Sequence, residues 1–149
     1  MQRGGILAPG AGLIKSGECG RGLASRWYPQ TLVRRIEHLR LLRNRVEVFV
    51  GDAFELIPQH ARDKRAAFLI DPPYTAGGKK AGARLYTHHA LDHDQLFRIS
   101  AGIKGTVMMT YDDAPEVRTL AEKYGFSITQ APMKSGHHKV HQELLLTRP

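Results

Sequence analysis

From Pro29 to Arg45 the apolar residues Leu32, Val33, Ile36, Leu39 and Leu42 recur at helical spacing, with Arg34, Arg35, Glu37, Arg40 and Arg43 between them. This spacing predicts an amphipathic helix with a strongly basic outer face, and Pro29 suits its first turn. The texture then shortens. "VEVFV", 46–50, is rich in β-branched residues and predicts a strand ended by Gly51-Asp52, followed by a short helix, "AFELIPQHA", interrupted by Pro58. "AAFLI", 66–70, is a continuous apolar run, as expected of a strand covered on both faces of a parallel sheet. Asp92, with Gln95 three residues later, predicts a capped helix running to about Gly102. "TVMMTY" predicts another strand, and Asp112-Asp113 leads to a helix through "PEVRTLAEKYG", with Pro115 in its first turn and Gly125 as its C-cap. "FSITQA" and "QELLLTR", separated by the polar "PMKSGHHKVH", read as an antiparallel hairpin. Strands alternating with helices predict an α/β fold, and no internal repeat is visible.

Two stretches lack periodicity. The first 28 residues hold Gly4, Gly5, Gly10, Gly12, Gly17, Gly20 and Gly22 and read as loop. Residues 75–90 carry Gly77, Gly78, Lys79, Lys80 and Gly82 and read as a mobile basic loop. A chain of 149 residues is most economically one domain with a core of its own. Charge narrows the partners: 22 Lys and Arg against 14 acids give a net +8, which favours polyanions and nucleic acid first, although a solvated basic face reads the same way. The single cysteine, Cys19, excludes an internal disulfide and a multi-cysteine metal site, and fits a reducing, cytoplasmic setting. No apolar run approaches the roughly 18 residues of a membrane span, and the N-terminus lacks the apolar core of a secretory signal.

The chemistry concentrates in Asp71-Pro72-Pro73-Tyr74, directly after the "AAFLI" run. Ligands of open parallel sheets bind beyond the carboxyl ends of the strands, which is where these residues fall. Asp71 supplies an acceptor. The two prolines fix φ and remove two backbone N–H groups, leaving stiff carbonyls that only accept hydrogen bonds. Tyr74 adds a flat ring for stacking. Acceptors without donors beside an aromatic ring suit an amino group on a planar ring, with adenine or cytosine as candidates. The plainer reading is a turn after a strand with a half-buried tyrosine.

Asp71-Pro72-Pro73-Tyr74 matches the catalytic motif of amino-methyltransferases that modify adenine in DNA, and the flanking sequence resembles the Dam-like adenine-specific methylase family. The likeness extends to Leu85-Tyr86, to Asp92-His93 at a helix start, to the strand-ending pair Tyr111-Asp112 and to Glu143–Leu146 after a polar loop. The N-terminal segment resembles the end of that family's target-recognition region and the helix that follows it. The resemblance covers nearly the whole chain. It implies a partial Rossmann-like, S-adenosylmethionine-dependent methyltransferase fold with a C-terminal antiparallel hairpin. It also implies that Asp71 and the Pro72 carbonyl accept from the exocyclic amine of adenine, whose lone pair then attacks the methyl group of S-adenosylmethionine. Tyr74 would stack on a base flipped out of duplex DNA. Asp52 matches the position that binds the cofactor's adenine, with Ala53 offering a backbone contact; an Asp in that place also caps a helix. Lys79, Lys80, Arg84 and Tyr86, and Lys134, His137, His138 and Lys139 in the last hairpin, are expected to meet DNA, the cations through its phosphates. "GHHKVH" lacks nearby carboxylate or Cys partners, so no metal is expected there.

One departure from the family shapes the expectation. Its aromatic-x-Gly-x-Gly cofactor motif is missing, and "GECGRG", 17–22, is neither preceded by an apolar strand nor followed by a helix. Residues 1–28 therefore read as a remnant of a target-recognition segment and 29–149 as the C-terminal part of a catalytic domain. In the family sheet two further strands lie between "VEVFV" and "AAFLI", so orphaned edges and exposed apolar surface are expected, with a partner chain supplying the missing half. The alternatives are an inactive or DNA-binding fragment, and a methylase of a planar amine in RNA or protein.

Overall fold

The computed structural model describes residues 28–76, 90–134 and 140–148. The chain divides into two units, Met1–Val50 and Gly51–Pro149. In the first, helix α1 spans Pro29–Leu41, with proline in its first turn, and a 3-10 turn follows at Arg43–Arg45. The helix thus stops short of the expected Arg45. None of its residues is buried: Leu32, Val33, Ile36 and Leu39, spaced to form an apolar stripe, all remain exposed.

The expectation of a strand at 46–50 is not met. Val46 takes extended angles, φ −122 and ψ 128, yet no ladder forms over 46–50, and Val48 and Val50 lie open to solvent. β-branched side chains favour an extended backbone, but a strand exists only when its N–H and C=O groups find a neighbour. Among the described residues none pairs with this segment.

The second unit contains helix α2 (Ala53–His60), strand β1 (Ala67–Ile70), helix α3 (His93–Ala101), strand β2 (Thr106–Asp112), helix α4 (Pro115–Tyr124) and strands β3 (Ser127–Lys134) and β4 (Val140–Arg148). Each helix starts or stops where the sequence supplies a partner for its end groups. Asp52 and Asp92 accept from the N–H groups of Phe54 and Gln95, both at 2.8 Å. Gly125 ends α4 at φ 72, which lets Phe126 N–H reach back to the Ala121 carbonyl at 2.8 Å.

The four strands form one mixed sheet in the order β1-β2-β4-β3. β1 and β2 run parallel, whereas β4 pairs antiparallel with both β2 and β3. Side chains alternate across it. Val107, Met109 and Tyr111 of β2 point to one face, opposite Leu146 and Leu144 of β4 in register, and meet Leu96 and Phe97 of α3 and Val117, Leu120 and Ala121 of α4 in a single core. The other face carries Leu69, 71% exposed, and Met108, 38% exposed. β1 is therefore covered on one face only, against the expectation from its unbroken apolar run, because the helices that contribute to the core all lie on the other side.

Gly105 sits in the turn that starts β2, pressed against β1. Thr106 N–H donates to the Ala66 carbonyl at 3.1 Å, and a Cβ on Gly105 would stand 2.1 Å from that same oxygen. Since the obstacle is backbone, relief requires the β1–β2 pairing to shift. Gly105→Ala is expected to destabilise the fold by about 2–3 kcal/mol, at the upper end of overpacking costs. Urea denaturation followed by circular dichroism measures this, and an unchanged midpoint would show that the turn has room.

Candidate active site at the end of strand β1

β1 stops at Ile70, and the chain turns at once. Asp71 is exposed, Pro72, Pro73 and Tyr74 are half-buried, and Thr75 N–H donates to the Pro73 carbonyl at 2.9 Å, an i to i+2 bond that closes a tight turn. Among the described residues no group donates to the Pro72 carbonyl. The Asp71 carboxylate is held from two sides through one oxygen: Oδ1 accepts from Thr110 Oγ1 of the neighbouring strand at 2.5 Å and from the Tyr74 phenol at 3.2 Å. The same phenol reaches Glu143 Oε2 of β4 at 3.5 Å. Burial pushes the Tyr74 hydroxyl up to about 12, opposed by the nearby Thr110 hydroxyl and helped by the Asp71 and Glu143 charges. Tyr74 is therefore a neutral donor near neutral pH, aimed at two carboxylates.

Thr110 and Tyr111 are consecutive on β2 and so point to opposite faces of the sheet. Thr110 takes the Asp71 end of the turn, and Tyr111 takes the other. The Tyr111 ring is fully buried and stacks at 21° on Tyr74, with centroids 6.3 Å apart. Its hydroxyl lies 3.1 Å from His93 Nδ1, and His93 Nε2 lies 3.1 Å from Thr75 Oγ1. A buried chain of polar contacts thus runs from the core strand through the first turn of α3 to the residue after Tyr74. Burial raises the Tyr111 phenol above its ordinary value.

Burial also lowers the pKa of His93 below its ordinary 6.5, opposed by the charges of Glu116 and Asp92. On acidification the unfolded chain takes up the proton first, so the stability this residue contributes is complete above 6.5 and is lost as the pH falls through its lower folded value. Unfolding free energy is expected to drop between pH 7 and pH 5, with a shallower drop in His93→Gln. Equal slopes in the two proteins would exclude a neutral His93 from that role.

Beside the turn opens a cavity of about 450 Å³ lined by Gly51, Asp52, Ala53, Phe54, Pro73, Ala90 and Leu91. Its size falls within the roughly 300–1,000 Å³ of small-molecule sites. Asp52 and Ala53, separated from Pro73 by about twenty residues of sequence, share this cavity with it. The walls combine one carboxylate with aromatic and aliphatic surface. Asp52 also caps α2 through Oδ1, so the structural role and the cavity-lining role fall on one residue.

Lys79, Lys80, Arg84, Tyr86, His137, His138 and Lys139 lie outside the described residues, and Lys134 is described only in its backbone, as the last residue of β3. Among the described residues no cluster of three or more His, Cys, Asp or Glu is placed to hold a metal ion, and no helix is long and apolar enough to cross a membrane. Sequence reasoning passed over Thr75 and Thr110. The available signal for Thr110 is its place in "TVMMTY": it is a polar residue on the strand's open face, two residues from the C-terminal end of β2. No protein-family model matches this chain, and no curated protein matches it.

Proposed function

We propose that the chain is the C-terminal part of a DNA adenine methyltransferase, which transfers a methyl group from S-adenosylmethionine to the exocyclic amine of an adenine flipped out of duplex DNA. The observation that carries this reading is the state of the acceptors at the end of β1. Thr110 and Tyr74 occupy Oδ1 of Asp71, while among the described residues no group donates to Oδ2 or to the Pro72 carbonyl, two acceptors that would take the two hydrogens of an amine. Two adjacent acceptors, with the neighbouring hydroxyls already donating to Oδ1, select an amine over a carbonyl.

Within this reading the residues divide the work. Asp71 and Pro72 bind the amine and favour its pyramidal form, Pro73 stiffens the turn, and Tyr74 offers its ring to the base. Asp52 and Ala53 would hold the adenosine end of S-adenosylmethionine, which supplies the methyl group when bound. The sheet β1-β2-β4-β3 is then one part of a Rossmann-like methyltransferase sheet with its antiparallel hairpin. Lys79, Lys80, Arg84, Tyr86, Lys134 and Lys139 would meet the DNA, the cations through its phosphates, in accord with the net charge of +8. A single cysteine accords with a cytoplasmic setting.

A second reading has one observation in its favour. The open face of the sheet in the second unit exposes Leu69 and Met108, surface that a partner chain would cover. On that reading the chain is a DNA-binding fragment completed by another polypeptide. Transfer of labelled methyl groups to unmethylated duplex DNA, followed by nucleoside analysis, separates the readings. N6-methyladenine is the expected product; label on RNA or cytosine alone would overturn the assignment. Salt-sensitive DNA binding without transfer would select the fragment.

A further inference from the structure

The two hydroxyls on Asp71 differ in origin. Tyr74 belongs to the turn itself, whereas Thr110 comes from the adjacent strand, 39 residues away in sequence, and makes the shorter bond at 2.5 Å. An exposed aspartate rotates about χ1 and χ2 among several wells, and each rotation exchanges what its two oxygens face. A hydroxyl fixed on a β-strand removes that freedom, because its own backbone is paired with Leu145 of β4 and directly follows Met109, the last residue of β2 paired with β1. From these contacts we propose that Thr110 is a positioning residue: it pins Oδ1 of Asp71, so that Oδ2 and the Pro72 carbonyl are the pair presented to a ligand amine.

This inference rests on the amine reading of the site for its consequence, though not for its geometry. Thr110 touches no ligand in this scheme. Its effect is felt as discrimination between a ligand that has N–H groups to offer and one that has none. Adenosine and N6,N6-dimethyladenosine form such a pair, alike in ring and sugar and different only at the amine. A carboxylate free to rotate would lose part of its preference for the first, while stacking on Tyr74 would be retained by both.

Thr110 lies on the open face of the sheet and is only half-buried, so its replacement leaves the core intact. Thr110→Val keeps the shape and removes the hydroxyl; Thr110→Ser keeps the hydroxyl. Two readouts are taken on the full chain after circular dichroism has verified folding, with Thr110→Ala replacing the valine variant if that one does not fold. The first is the carboxyl ¹³C signal of Asp71, assigned with Asp71→Asn, in the absence of ligand. The second is the ratio of affinities for adenosine and N6,N6-dimethyladenosine. The valine variant is expected to shift the Asp71 signal and to lower the affinity ratio about tenfold, the scale of one hydrogen bond to a charged group, and serine is expected to restore both. An unmoved signal in the valine variant, or a serine variant that behaves like valine, would overturn the proposal. A shifted signal in a protein that never distinguishes the two nucleosides would uphold the pinning of Asp71 and sink the amine reading instead.

Discussion

Asp71→Ala is expected to abolish methyl transfer, by at least about 10²- to 10³-fold, the cost of removing one preorganised electrostatic partner from a reacting centre. DNA affinity should change less than about twofold, because phosphate contacts by cations supply most of it and Asp71 contributes none. The split follows from geometry. Asp71 is the only residue of the turn that offers a carboxylate, and its Oδ1 is already committed to Thr110 and Tyr74. Removing it deletes that acceptor and takes the carboxylate from Thr110, while the Tyr74 phenol keeps Glu143 Oε2 at 3.5 Å. Asp71→Asn probes the same point differently, since an amide places a donor where the amine needs an acceptor. Transfer is measured with labelled S-adenosylmethionine, in the presence of any chain needed for activity, and DNA binding by fluorescence anisotropy at fixed salt. Retained transfer in Asp71→Ala would remove Asp71 from the mechanism.

Phe97→Ala is expected to cost about 3–5 kcal/mol, the usual range for emptying a buried aromatic site. Phe97 is fully buried in α3, and its ring centroid lies 5.5 Å from those of Tyr111 and Phe126 and 6.3 Å from that of Tyr124. It is therefore the common partner of the strand that carries Thr110 and of the residues flanking the end of α4. Loss of the ring opens a space behind Tyr111, the same side chain that holds His93 and stacks on Tyr74. Phe97→Leu retains much of the volume and should cost distinctly less, about 1–2 kcal/mol. Urea denaturation gives both values; similar small losses in the two variants would mean that this part of the core is loosely packed. Since net stabilities of domains are about 5–15 kcal/mol, the alanine variant stands near the limit of folding.

Elements whose ends are chemically marked were legible in the sequence. Asp92 with Gln95, Pro115 and Gly125 place α3 and α4 within a residue or two, and the strands expected at "TVMMTY" and "QELLLTR" match the paired strands β2 and β4. Segments whose fate depends on a partner were not. "VEVFV" has the composition of a strand but pairs with no strand among the described residues, and "AAFLI" has the run of a doubly covered strand while the helices cover one face. Local pattern records what a segment prefers, and pairing and coverage are decided by what packs against it. The same division holds at the site. The Asp-Pro-Pro-Tyr turn stands out as four adjacent residues, whereas Thr110 reaches it from another strand and carries no local mark. Asp52 shows the limit most sharply: its position predicted a cap or a ligand contact, and it both caps α2 and lines the cavity.

If the turn after β1 and the Asp52–Ala53 cavity form one methyl-transfer site, as proposed, calorimetric titration of the folded chain with S-adenosylmethionine, with and without duplex DNA, should show saturable binding at one site per chain, strengthened by DNA and weakened in Asp52→Ala. Absence of binding to the folded protein under both conditions would contradict the claim and leave the chain as a DNA-binding fragment.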